Sequence, residues 1–243
     1  MVATPVGTVT DSAAPATNLV LCLSFDEPGG SVASNRAGVI GGVLNNGPAR
    51  HPDGFDLRSL CFDGVDDYVQ VTPYPAMQFG TNDFSVATWI KPANDDSTIR
   101  AIVDHREEKD GPVVRGYSLA LWHTNRLNLQ LADGSFSQYL STFAVPADGQ
   151  WHHVAVTVKR RDPQGVRFYL DGVQEAHGLD PTDHSGSFTA GPGYSFRVGS
   201  RSSTVDNLFQ GCIDEVEVFS RALTPAEIFS IHRAGADKRK PSP

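Results

Sequence analysis

The sequence predicts an all-β sandwich of antiparallel strands with one short C-terminal helix, and three observations carry that prediction. Apolar residues alternate with polar ones in run after run: Leu19, Leu21, Leu23 and Phe25 share one phase, as do Phe84, Val86, Thr88 and Ile90, then Val154, Val156 and Val158, then Val166, Phe168 and Leu170. A period of two buries one face of each strand and leaves the other for water or a second layer. Turns punctuate the runs at Asp63-Gly64, Asp133-Gly134 and Asp171-Gly172, where glycine accepts the positive φ that tight turns demand. A convincing helix pattern occurs once, near the C-terminus.

One hairpin can be placed in register. Tyr117, Leu119 and Leu121 form one apolar row and Leu127, Leu129 and Leu131 the next. A three-residue loop, His123-Thr124-Asn125, pairs 121 with 127, 119 with 129 and 117 with 131, which keeps both rows on one face. Asn125 then takes the left-handed position of such loops, which asparagine tolerates. The helix starts at Thr224 as N-cap, with Pro225 at the first helical position and Glu227 three residues after the cap, continues through Ile228, Phe229 and Ile231, and is expected to stop at Gly235 and plug one end of the sandwich.

The 243 residues show no shift of composition between Leu19 and Gly235, so residues 19–235 read as one domain. Residues 1–18 read as a flexible linker with neither the basic start nor the apolar core of a signal peptide, and residues 236–243 as a solvated basic tail. A formal charge of −8 argues against a nucleic-acid partner, which would require clustered Lys and Arg. No apolar run reaches the ~18 residues of a membrane-spanning helix, so membrane insertion is not expected. The three cysteines, Cys22, Cys61 and Cys212, allow one disulfide and one free thiol or three free thiols.

Six blocks recur in a recognisable order: Ser24-Phe25-Asp26-Glu27, Phe62-Asp63-Gly64-Val65-Asp66-Asp67-Tyr68-Val69, Trp89-Ile90-Lys91-Pro92, Trp151-His152-His153-Val154-Ala155-Val156-Thr157, Phe168-Tyr169-Leu170-Asp171-Gly172 and Gly211-Cys212-Ile213-Asp214-Glu215-Val216. As a set they resemble the laminin-G-like, concanavalin-A-like jelly-roll family of secreted bacterial proteins, over Leu19 to Gly235. The resemblance implies a two-sheet antiparallel jelly roll, a secreted or cell-surface location and neighbouring domains in a larger protein. It leaves function open, because this sandwich hosts lectins, adhesive modules, hydrolases and lyases.

The resemblance also implies a structural Ca²⁺ that ties the first strand to the last through Asp26 and Asp214; the alternative is that both cap turns. Asp63, Asp66 and Asp67 are further acidic residues at strand ends, while the family's frequent additional Asp is missing at Ser34-Asn35. If Asp26 and Asp214 meet across antiparallel strands, Cys22 falls near 218, and a Cys22–Cys212 disulfide is disfavoured. Glucanases of this fold resemble one another in an E-x-D-x-x-E strand, and here Cys212 stands where the nucleophilic Glu belongs, with Asp214 and Glu217 at the other two positions. His152 and His153, adjacent on a strand, point to opposite faces and cannot share a metal; a structural hydrogen-bonding role is expected of both.

Binding is therefore the preferred reading. Trp122, Ala120 and Ser118 face away from the leucine rows, opposite Arg126, Asn128 and Gln130. One aromatic plate among amide and guanidinium donors suits stacking on a sugar ring and bonding its hydroxyls; the bland alternative is a solvated face on which Trp122 stacks on Arg126. Gln138, Tyr139 and the loop Arg106-Glu107-Glu108-Lys109 are weaker additions to the same surface. The sequence thus points to non-catalytic binding of a carbohydrate or glycosylated partner, with a polysaccharide hydrolase or lyase, or an adhesive protein-binding module, as alternatives.

Overall fold

The structure, a computed structural model, describes residues 17–54, 57–108 and 113–238. The expected linker lies almost wholly outside these residues, as do the end of the basic tail and Lys109. The strands are β1 (Leu19–Leu23), β2 (Val32–Ala33), β3 (Gly42–Asn45), β4 (Ala49–His51), β5 (Ser59–Asp63), β6 (Tyr68–Val71), β7 (Phe84–Pro92), β8 (Arg100–Glu108), β9 (Val113–Trp122), β10 (Arg126–Asp133), β11 (Phe136–Ala144), β12 (His152–Val158), β13 (Val166–Leu170), β14 (Val173–Gln174), β15 (Phe196–Val198) and β16 (Gln210–Phe219), followed by helix α1 (Pro225–Lys238).

They form two antiparallel eight-stranded sheets. The first runs β14-β13-β12-β7-β16-β5-β4 with β1 also on β16; the second runs β11-β10-β9-β8-β15-β6-β3-β2. The expected alternation builds the core between them: Leu21, Leu23, Val86, Ile90, Val154, Val156 and Phe168 from the first sheet meet Val69, Val103, Leu119, Leu121, Leu127, Leu129 and Leu131 from the second. The Asp-Gly turns form as expected, with φ of 79° at Gly64, 105° at Gly134 and 49° and 77° at Asp171 and Gly172.

Strand β16 joins the chain's ends. Its first half pairs with β5 on one edge, through Cys212↔Cys61 and Ile213↔Leu60, and its second half pairs with β1 on that edge, through Val216↔Leu23 and Glu217↔Cys22. The change of partner falls at Glu215, a bulge residue with φ of 47°. Cys22 therefore lies far along the strand from Cys212 and is buried outside the disulfide, while Cys61 and Cys212, directly opposite one another, form a disulfide.

The helix begins with the expected reciprocal cap: the Thr224 amide donates to Glu227 Oε2 at 2.9 Å and the Glu227 amide to Thr224 Oγ1 at 3.3 Å. Arg221 grips the same carboxylate at 2.6 and 2.8 Å, and that contact first among several holds the Glu227 carboxyl down at about 2. Two expectations fail. Gly235 does not stop the helix, which runs on to Lys238; a lone glycine between Ala234 and Ala236 costs only about 1 kcal/mol in a helix and ends it only if it adopts the left-handed conformation. Nor does the helix plug an end of the sandwich. Ile228 and Ile231 lie over the outer face of the first sheet and form a second small core with Ala87, Ala155, Tyr169, Phe219 and Leu223.

The same outer face settles the histidines. His152 and His153 do point to opposite sides: His152 Nδ1 lies 2.9 Å from Asp171 Oδ2, while His153 is buried against Trp89 with ring centroids 5.2 Å apart, beneath His232 of the helix at 5.7 Å. Both ring nitrogens of His153 lack a hydrogen-bond partner among the described residues, so the ring acts by packing and the side-chain hydrogen bonding expected of it is not found there.

Candidate functional site

The β9–β10 hairpin has the register read from its leucines: Leu121↔Leu127, Leu119↔Leu129 and Tyr117↔Leu131. Its loop is His123-Thr124-Asn125, with φ of 60° at Thr124 and 59° at Asn125. Burial fixes this tip. Asn125 Oδ1 accepts from Arg100, a guanidinium only 2% exposed, which also donates to Asn94 O at 2.8 Å and to Asn94 Oδ1 at 2.5 Å, and Asn125 Nδ2 returns a bond to Asn94 O at 3.1 Å. Sequence reading found the left-handed Asn125 but not Arg100, whose partners come from a loop about 30 residues upstream of the tip.

On this anchored tip the outer row runs Trp122, Ala120, Ser118 along β9 and Arg126, Asn128, Gln130 along β10. Trp122 is half-buried and meets the His123 ring edge-on at 4.9 Å. Arg126 Nε donates to Ser141 O at 2.5 Å, and the alternative Trp122–Arg126 stack is not found. Asn128 and Gln130 are buried rather than facing solvent. The Gln130 carbonyl accepts from Arg106, whose Nε donates to the fully buried Asp104 at 2.7 Å. The segment after β15 crosses here: the Ser202 amide donates to Asp104 Oδ1 at 3.2 Å and its hydroxyl to Arg106 O at 2.6 Å. Gln130 and Arg106 thus belong to an internal polar network, which a buried guanidinium and carboxylate require. Asn128 lies outside that network: it is fully buried, and neither of its amide atoms has a partner among the described residues.

Tyr139 does not belong to this row. It pairs with Leu129, so it shares the inward phase and packs in the main core, while Gln138, opposite Gln130, takes the outward phase. The outer face therefore offers Trp122 and Arg126 at one end.

The acidic residues divide as well. Asp26 Oδ2 lies 2.6 Å from Arg36 Nη2, and its Oδ1 accepts the Arg58 amide at 3.2 Å. Nearby, Arg50 donates to Phe25 O at 3.1 Å, Glu27 Oε2 at 2.9 Å and Val32 O at 2.8 Å. The Arg36 guanidinium is held in its charged form against burial by Glu215 and Asp26, which places a cation between the exit of β1 and the bulge of β16. Asp214 is fully buried and its Oδ1 accepts the Glu215 amide at 2.9 Å. At Asp26, guanidinium groups supply positive charge where the resemblance assigns a divalent ion. Among the described residues one group of three acids comes within 4.8 Å, Asp63, Asp66 and Asp67, and two of its carboxylates accept amides of their own turn, from Val65 at 2.7 Å and Asp63 at 3.1 Å. Cys212, at the position of the glucanase nucleophile, has its sulfur in the disulfide.

The family model described as the concanavalin A-like lectin/glucanases superfamily matches residues 63–229, more than half of the chain. The chain belongs to that superfamily. Among solved structures, this superfamily member resembles the binding domain of paraclostridial mosquitocidal protein 1, with 15% identity and a TM-score of 0.68 over 89% of this chain and 52% of that one. It also resembles domain 4 of AbnA, a GH43 extracellular arabinanase from Geobacillus stearothermophilus in complex with arabinotriose, with 20% identity and a TM-score of 0.63 over 88% of this chain and 98% of that one. The binding domain of botulinum neurotoxin DC in complex with rat synaptotagmin II matches at 14% identity and a TM-score of 0.66, over 90% of this chain and 52% of that one. The chain thus spans about half of each toxin binding domain and nearly all of the arabinanase domain, and identities this low carry the fold alone.

Proposed function

We propose that the domain is a non-catalytic carbohydrate-binding module of an extracellular protein, and that Trp122 is its stacking plate. The observation that carries this is a half-buried indole on a tip immobilised by Arg100, Asn125 and Asn94, since a preorganised aromatic loses little entropy when a sugar ring settles on it. Arg126 stands opposite it in the hairpin. The arabinanase domain, whose full length this chain matches, was solved with arabinotriose. The disulfide supports an oxidising compartment, where such bonds persist.

Affinity electrophoresis in gels containing arabinan, xylan or β-glucan tests the reading. Trp122→Ala should abolish retention on the polysaccharide that slows the parent protein, at a stability cost below the ~3–5 kcal/mol of a fully buried large aromatic. Retention unchanged in the variant would move the ligand off this tip.

For the ends of the chain we read the guanidinium groups as doing what the resemblance assigns to calcium. EDTA should then leave the melting temperature where it was. Arg50→Gln should lower stability by about 1–3 kcal/mol, because it strips bonds from two carbonyls and Glu27. A chelator-induced drop restored by added Ca²⁺ would return the ion to this site.

A further inference from the structure

On the outer face of the first sheet, remote in the fold from Trp122, a cavity of about 280 Å³ opens where β12, β13 and β14 meet the segment that leads into α1. Its floor is set by strand register: Thr157 stands opposite Arg167, and Tyr169 lies between Ala155 and Gln174. Ala222, Leu223 and Pro225 form one wall. The wall is held in place by the buried Ser85 hydroxyl, which donates to Arg221 O at 2.8 Å and accepts the Leu223 amide at 2.9 Å.

The lining chemistry is specific. Lys159 and Arg167 bring two positive charges and Asp162 one negative charge, so the cavity is net cationic in a protein of net charge −8. Lys159 is partly committed, its Nζ lying 3.4 Å from Asp162. The Arg167 guanidinium makes no hydrogen bond or close ion pair to any described residue, although its charge is felt by the Asp162 carboxyl, and it sits at a half-buried position. Deeper in, Thr157 and Tyr169 are buried, and the Tyr169 hydroxyl donates to Gln174 Oε1 at 3.2 Å. Apolar walls, hydroxyl and amide groups within, and an uncommitted guanidinium at the rim make a site for one small ring that carries an anion.

We propose that this cavity binds a carboxylate-bearing monosaccharide unit, its carboxylate on Arg167 and its hydroxyls toward Thr157, Tyr169 and Gln174. A planar carboxylate matches the guanidinium fork in two parallel hydrogen bonds, a match that neutral sugars lack. This site is independent of Trp122.

Isothermal titration of the full chain at low salt with D-glucuronate, D-glucose and acetate tests it. Glucuronate should bind at least about tenfold more tightly than either control, as one charge-assisted contact predicts, and weaken as NaCl is added. Arg167→Gln should remove that preference without lowering the melting temperature, since the Arg167 side chain bonds to none of the described residues, and Tyr169→Phe should weaken binding while keeping the ring. Trp122→Ala should leave glucuronate binding intact. Equal binding of glucose and glucuronate, acetate binding as tightly as glucuronate, no glucuronate binding, or indifference to Arg167→Gln would each overturn the proposal. Loss in Trp122→Ala alone would assign the acid sugar to the other sheet instead.

Discussion

Between pH 7.5 and pH 5 the melting temperature should fall by roughly 8–16 °C, taking about 4 kcal/mol of lost stability at ~2–4 °C per kcal/mol for a domain of this length. Two buried histidines set that figure. Burial under the helix, with the neighbouring charge of His232 adding to it, lowers His153 to about 3. Burial in the main core against Tyr117 and Phe196 lowers His105 to about 4, outweighing the nearby Asp104 carboxylate. Each folded value lies below the unfolded value of about 6.5, so the unfolded chain takes up the proton first. Stability from these groups is complete above about pH 6.5 and is lost as pH falls toward the folded values. At pH 5 each has lost about 1.5 pH units of linkage, or about 2 kcal/mol at 1.36 kcal/mol per unit. The paired carboxylates, such as Glu227, begin to contribute only at lower pH. His153→Phe keeps an aromatic ring against Trp89 and should remove about half of the drop; His105→Phe should remove the other half. A melting temperature that is flat from pH 7.5 to 5, or a slope unaltered in both variants, would show that these rings find solvent when protonated.

The elements legible in the sequence were those fixed by neighbours along the chain. The β9–β10 register follows from a three-residue loop and two leucine rows, and the start of α1 from Thr224 and Glu227, which satisfy each other over one turn. What escaped depends on residues distant in sequence. Tyr139 looked like a surface aromatic because nothing local sets the register of β11; the turn after Asp133 pairs it with Leu129 and sends it inward. The helix announces an apolar stripe but not its dock. The signal lay in Ala87 and Ala155, small residues in the outward phase of β7 and β12 that make room for Ile228 and Ile231. Asn128 and Gln130 looked exposed because the strand pattern cannot reveal that the segment bearing Ser202 crosses the same sheet. Nothing local in the sequence shows that Arg36 and Arg50 fold back from between β2 and β5 onto the exit of β1, beside the acid to which the resemblance assigns calcium. Of the row read from the sequence, Trp122 and Arg126 lie together at one end of the hairpin, and Asn128 and Gln130 are buried in the fold.

Removing the Cys61–Cys212 disulfide should destabilise the protein by about 2–4 kcal/mol, a fall in melting temperature of roughly 4–16 °C at ~2–4 °C per kcal/mol. The bond closes a loop with a sequence separation of 151 residues, for which chain entropy alone gives about 5 kcal/mol. The measured loss should be smaller, because β5 and β16 are held side by side by their own ladder and the reduced unfolded chain is not a free coil. The position matters as well as the loop length: the bond sits on the half of β16 that pairs with β5, just before the Glu215 bulge where that edge passes to β1. Loss of the cross-link should therefore loosen the junction of the chain's ends first, and hydrogen exchange should quicken at Leu60, Ile213 and Val216 more than at the hairpin residues Leu119 and Leu129. Cys61→Ser with Cys212→Ser isolates the bond from the reductant, and Cys22→Ala, which removes the buried thiol outside the disulfide, is the control. Thiol titration supplies the direct count: the denatured, unreduced protein should expose one reactive thiol, and prior reduction should expose three. Three thiols before reduction, or a double variant that melts with the parent, would mean that the two sulfurs face each other unbonded and that hydrogen bonding between the strands carries the junction unaided.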